Sequence, residues 1–228
     1  MTINYKKNFF TSADGKIIDL HEYHPKKEIK SSLVLVYEIF GKTNHIHNLA
    51  SKIAENNILV YVPDIFSRLE KNVVLSYNKE GFQKGIELKE KLNWDLPVMD
   101  IVSCAALLKQ KYLVSVMGFC YGGTLSWIST QKSFIFEKSV CYYGSSIPDF
   151  LFKNINCPTM LHFGENDEGI PKDAIEKVKS YVKEQEKPVN LFEYKNADHG
   201  FNCEERKSYN EEASKLAYER TIGFLMED

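Results

Sequence analysis

Arginine is nearly missing from this chain. Of the 29 basic residues in 228, only Arg68, Arg206 and Arg220 are arginines. A guanidinium grips a planar anion through a rigid fork that lysine cannot copy, so few positions here can hold a carboxylate that way. Neither sign of charge is in excess, with a formal net charge of −2. That balance excludes the basic footprint expected of a nucleic-acid or anionic-membrane binder. No apolar run approaches the roughly 20 residues needed to span a bilayer. The first eight residues, Met1 to Asn8, lack the apolar segment of a secretory leader. The five cysteines, at 104, 120, 141, 157 and 203, form no CxxC pair and no zinc-like spacing. An odd number of thiols without a leader points to reduced cysteines in the cytoplasm, and to no metal. Cys203, just after a loop, is open to exposure. Repeats and low-complexity linkers are absent too.

What is present is enough for a sizeable core. With 43% hydrophobic and 13% aromatic residues in 228, one domain over residues 1–228 is expected. Strand patterns fall at 16–23, 32–37, 58–62 (stopped by Pro63), 112–117, 139–143, 159–163 and 189–194. Helical periods fall at 44–55, 85–92, 97–110, 171–183 and 209–226. The alternation predicts an α/β protein, with a mostly parallel sheet and helices on both faces. Residues 67–84 are polar and patternless, as a binding loop or lid would be.

The most informative stretch is Gly118-Phe119-Cys120-Tyr121-Gly122-Gly123. A strand precedes it and a helical segment follows, which is the outline of a nucleophile elbow. The nucleophile there sits on so sharp a turn that the residues two before and two after must be tiny. Here it is a cysteine.

In sheets of this kind functional groups collect at the C-terminal strand ends. Glu38 ends the strand at 32–37, and Asp167 follows the strand at 159–163. His199 follows the strand at 189–194. Nucleophile, acid and base then occur in the chain order of an α/β-hydrolase triad. Glu165 and Glu168 compete with Asp167 for the acid's place. His199 would hold the proton of Cys120, because the thiolate is the competent nucleophile. Asp167 would fix the imidazole tautomer. The backbone N–H groups of Ile39 and Tyr121 are the expected oxyanion donors. His45 and His47, two apart on a helix, do not face one another and make no metal pair. His162 reads as a core histidine and Asp64 as a carboxylate that structures a loop.

These motifs together resemble the dienelactone hydrolase family of α/β-hydrolases. Tyr37-Glu38-Ile39-Phe40-Gly41 is similar to its Glu-Ile-Phe-Gly segment, and Val62-Pro63-Asp64-Ile65-Phe66 to its Pro-Asp-Leu-Tyr segment. The cysteine elbow, Tyr142-Tyr143-Gly144, Gly164-Glu165-Asn166-Asp167 and Asp198-His199-Gly200-Phe201 follow in the family's order. The resemblance runs from about Leu33 to the C-terminus. It implies a Cys120–His199–Asp167 triad, with Glu38 contacting the resting thiol until substrate frees it. Phe40, Tyr143 and Phe201, inside the matching motifs, are candidates for substrate contact.

The departures matter as well. Founding members hold the substrate carboxylate with two arginines, one before the long helices and one four residues after the histidine. Here the second position is Cys203, Arg206 is out of register, and residues 67–91 hold only Arg68. An ester, lactone or thioester other than dienelactone is therefore expected as substrate. The expected protein is a cofactor-free hydrolase acting on a small-molecule ester or lactone, as a monomer or small homo-oligomer, without nucleic-acid or membrane partners. Two other readings stand beside it. One is a non-catalytic hydrolase-like scaffold that binds a small ligand. The other is a glutamine-amidotransferase-like thiol enzyme, disfavoured because Gly200-Phe201 follows His199 where that class has His-x-Glu.

Overall fold

The computed structural model of the chain describes residues 3–227. Eight strands make one sheet: β1 (Ile3–Thr11), β2 (Ile17–Pro25), β3 (Ser31–Val36), β4 (Ile58–Asp64), β5 (Val114–Phe119), β6 (Ser139–Tyr142), β7 (Thr159–Gly164) and β8 (Val189–Tyr194). Their spatial order is β1-β2-β4-β3-β5-β6-β7-β8. The β1–β2 hairpin and the β2–β4 pair are antiparallel, and every other neighbouring pair is parallel. The helices are α1 (Asn44–Ala54), α2 (Lys79–Leu92), α3 (Asp95–Lys109), α4 (Tyr121–Lys132), α5 (Lys172–Val182) and α6 (Glu211–Met226).

Strands β3, β5, β6 and β7 are buried almost throughout. That is why they read in sequence as continuous apolar runs rather than alternating ones. Helix α4, which carries the elbow, packs on β5 and β6. It is buried over ten of its twelve residues, Trp127 included. Among the described residues no helix is long and apolar enough to cross a membrane.

The structure departs from the sequence reading most at β1, β4 and α2, while β5 (Val114–Phe119) and the start of α3 (Asp95) are shifted by two residues from 112–117 and 97. β1 was not anticipated: only Phe10 of its nine residues is buried, so it has no core-facing stripe to read. β4 runs through Pro63, where a stop was expected. Its pairing with β3 ends at Tyr61, so beyond that point one edge is free and the missing N–H of Pro63 leaves no ladder position empty. α2 starts at Lys79 instead of 85, because the Asn78 side chain caps it by accepting from the Gly81 N–H at 2.9 Å.

Arg68 is held far from any catalytic task. Its guanidinium is bonded to Asp100 (Nε–Oδ2 2.5 Å) and to Asp14 (Nη1–Oδ2 2.8 Å), which ties the β1–β2 turn to α3. His162 is a paired core histidine, bonded at Nδ1 to Tyr194 Oη and at Nε2 to Thr221 Oγ1. Burial holds its pKa low, at about 3.

Candidate active site

Five adjacent parallel strands end at one edge of the sheet, and each delivers a polar or aromatic group there. Glu38 follows β3, Cys120 follows β5, Tyr143 follows β6, Asp167 follows β7 and His199 follows β8.

At the β5–α4 turn Cys120 takes φ 52° and ψ −112°, a conformation L-residues avoid unless the surroundings impose it. Two backbone bonds impose it: Cys120 N–H donates to Tyr142 O at 2.9 Å, and Thr124 N–H donates to Cys120 O at 3.1 Å. The flanking glycines are dictated by contact. A Cβ on Gly122 would lie 2.3 Å from Val36 O, and one on Gly118 would lie 2.1 Å from Gly122 O. The half-buried thiol is thereby raised at the helix start, where N–H groups favour negative charge.

Asp167, not Glu165 or Glu168, faces the histidine. Its Oδ2 lies 2.8 Å from His199 Nδ1, and its Oδ1 accepts the Gly169 N–H at 2.9 Å. The Asp167 side chain is wholly buried and that of His199 is 22% exposed. Burial alone would push the imidazole toward its neutral form. The adjoining Cys120 sulfur and the Asp167 carboxylate outweigh it and raise His199 to about 10. The arrangement thus favours a protonated imidazole between a sulfur and a carboxylate.

Glu38 is 1% exposed, and its partner differs from the one the resemblance implied. Its Oε1 accepts from Arg206 Nη1 at 3.1 Å, while its Oε2 is buried with no protein partner among the described residues. The side chain that pairs with the Cys120 thiol is His199. Arg206, read as out of register, in fact reaches the site. Its guanidinium stacks over Phe40 and Tyr77, and a Cβ on Gly200 would sit 2.3 Å from its Nη1. The loop after His199 folds back on itself (Cys203 N–H to Gly200 O, Arg206 N–H to Cys203 O), which brings position 206 to the place a linear register denies it. The usable signal was that Arg206 is one of only three arginines and lies seven residues after the histidine.

Cys203 is fully buried, contrary to expectation, because that same folded loop packs it against the site. Burial and the nearby Glu38 push its thiol up to about 12, so it is a poor nucleophile at neutral pH. Tyr143 and Phe201 are also wholly buried. They form a floor beneath the imidazole, with Tyr143 5.1 Å from His199 and 5.4 Å from Phe201 between ring centroids, and line neither of the two cavities that reach His199. Phe40, the third residue expected to contact substrate, lines the larger of those two cavities. Under the β3 end, Tyr37 Oη donates to Asp64 Oδ1 at 2.8 Å and accepts the Phe66 N–H at 2.7 Å. Burial raises Asp64 to about 6. His45 pairs with Glu204 and not with His47. No cluster able to hold a metal ion occurs among the described residues.

Two cavities meet at the imidazole, since both are lined by His199, Phe82 and Gly169. The inner one, about 210 Å³, also takes in Cys120, Ile39 and Tyr121. The outer one, about 760 Å³, is bounded by Phe40, Tyr77, Lys79 and Arg206. The N–H groups of Ile39 and Tyr121 are not engaged by another protein group among the described residues, and both residues line the inner cavity. That is where the oxygen of a carbonyl attacked by Cys120 would need donors.

The model of the dienelactone hydrolase family matches residues 18–227. A Synechocystis sp. protein, provisionally named a carboxymethylenebutenolidase, is 25% identical over 203 residues, covering 82% of each chain. The carboxymethylenebutenolidase of Pseudomonas putida is 23% identical over 221 residues, covering 94% of this chain and 93% of its own. A Klebsiella pneumoniae crystal structure, provisionally named a dienelactone hydrolase, superposes with a TM-score of 0.86 at 22% identity over 100% of both chains. The fold is the α/β-hydrolase fold expected from the sequence.

Proposed function

The chain belongs to the dienelactone hydrolase family, and on that footing we propose that it is a hydrolase of a small carboxylic ester or lactone that uses Cys120 as nucleophile. The observation that carries this reading is the Asp167–His199 pair, 2.8 Å apart, beside a thiol raised on a strained strand-to-helix turn.

The chemistry follows from that placement. With His199 holding the proton, the Cys120 sulfur attacks the carbonyl carbon as a thiolate. The carbonyl π-electrons move to oxygen, where the Ile39 and Tyr121 N–H groups receive the charge. As the tetrahedral centre collapses, the carbon–oxygen bond to the leaving group breaks. His199 gives its proton to the departing oxygen, leaving an acyl-thioester on Cys120. Water then attacks the thioester carbon while His199 takes its proton. The acid departs, the Cys120 thiolate is released and His199 is again protonated. Asp167 holds the imidazole in the tautomer that presents Nε2 to both events and stabilises the imidazolium. No step calls for a metal or an organic cofactor. Glu38 and Arg206 form the polar wall beside the reaction; they take no proton in this scheme.

The test is hydrolysis of p-nitrophenyl acetate and a panel of lactones by Cys120→Ala and His199→Ala. The reading requires each variant to lose at least about 10³-fold in kcat/KM. Full activity in Cys120→Ala would overturn it.

A further inference from the structure

The inner cavity has a cation in its wall that no carboxylate among the described residues engages. Lys89, on α2, lines the same space as Cys120, Ile39 and Tyr121. Its ammonium stands 4.9 Å from the centre of the Trp94 ring and 5.8 Å from that of Tyr121. Lys84 and Lys91 of the same helix each hold a carboxylate, from Glu70 and Glu87. Lys89 holds none among the described residues and is half-buried. Aromatic faces on one side can steady an ammonium, yet they leave its N–H donors open toward the cavity.

Reaction geometry decides which part of a substrate lies there. The leaving oxygen must reach His199, which stands where the two cavities join. The leaving group therefore projects into the 760 Å³ outer cavity, and the acyl chain stays in the 210 Å³ inner one. At about 30 Å³ per water-sized group, the inner space has room for roughly seven such groups. Ile39, Ile86 and Trp94 supply apolar walls for methylenes, and Lys89 supplies the one cationic side chain lining it besides the catalytic His199.

We infer that the inner cavity is an acyl pocket for short dicarboxylic half-esters, with the free carboxylate of the acyl chain seated on Lys89. This rests on the acyl-transfer reading of Cys120 and names its substrate class. The anion is recognised on the acyl side of the scissile bond, by an ammonium framed by aromatic rings. Arg206, engaged by Glu38 on the outer side, has no part in it.

The experiment compares mono-p-nitrophenyl glutarate with p-nitrophenyl pentanoate, after subtraction of each ester's uncatalysed rate. The readout is the ratio of their kcat/KM values in one preparation, which does not depend on how much of the protein is folded. The native protein should prefer the half-ester by about tenfold or more, as a charge-assisted hydrogen bond to a partly buried carboxylate supplies. Lys89→Met should bring the ratio to near one, Lys89→Glu below one, and Lys89→Arg should retain a preference. A ratio near one in the native protein, or one unmoved in Lys89→Met, overturns the assignment while leaving Cys120-dependent ester cleavage standing. Failure of the native protein to cleave either ester overturns the acyl-transfer reading and this inference with it.

Discussion

Arg206 and Glu38, 168 residues apart in sequence, meet through Nη1 and Oε1 at 3.1 Å with side chains 20% and 2% exposed. The loop after β8, which carries His199, is thereby fastened to the loop after β3, which carries Ile39. A carboxylate buried this deeply depends on its partner, because removing one half of a buried pair strands the other's charge. Arg206→Met should lower unfolding stability by roughly 3 kcal/mol. Glu38→Gln in the same chain should restore most of the loss, since it removes the stranded charge. Urea midpoints of the single and double variants measure this. A loss below about 0.5 kcal/mol in Arg206→Met would mean that the pair behaves as a surface contact.

The elbow makes a steric prediction. In Gly122→Ala the added methyl would lie 2.3 Å from Val36 O, a backbone atom inside the sheet that cannot swing aside. The variant should lose more than about 3 kcal/mol of stability or fail to accumulate in soluble form. Gly223→Ala is the control, since nothing lies within 4 Å of its added methyl. Near-native stability in Gly122→Ala would show that the turn is looser than its contacts imply.

The third prediction concerns pH. His199 is raised from 6.5 to about 10 by Cys120 and Asp167 acting against burial. The folded state therefore binds this proton more tightly than the unfolded chain does. Its stabilising contribution is complete below about pH 6.5 and is lost as pH climbs through about 10. Activity should follow, because the leaving oxygen takes its proton from His199. In the native protein kcat/KM should stay level through neutral pH and fall only near pH 10. Asp167→Asn removes one of the charges that raise the imidazole, so the falling limb should move down by about one unit or more. A pH–rate profile whose alkaline limb is the same in both proteins would remove Asp167 from this role.

Much of this architecture was legible in the amino-acid order, for a physical reason. Strands covered on both faces, such as β3 and β7, are mostly apolar, with buried polar residues such as His162 paired inside, and the elbow tolerates only glycine at 118 and 122. What could not be read depends on how loops fold in three dimensions. β1 shows no stripe because it buries a single residue. The placement of Arg206 and the burial of Cys203 and Phe201 follow from the path of the 195–210 loop, and Phe201 in turn packs against Tyr143 after β6. No local pattern encodes that path. Lys89 was hidden for a similar reason: one lysine among many on a polar helix, it is set apart only by the Trp94 and Tyr121 rings beside it.

The central claim is that the acyl group passes through the sulfur of Cys120. Rapid acid quenching during turnover of p-nitrophenyl acetate, followed by mass spectrometry of the peptides, tests it directly. The peptide containing Cys120 should carry one acetyl group in the native protein, and that adduct should disappear in Cys120→Ala together with the activity. Turnover that persists in Cys120→Ala, with no acetyl group on the Cys120 peptide of the native protein, would contradict the account.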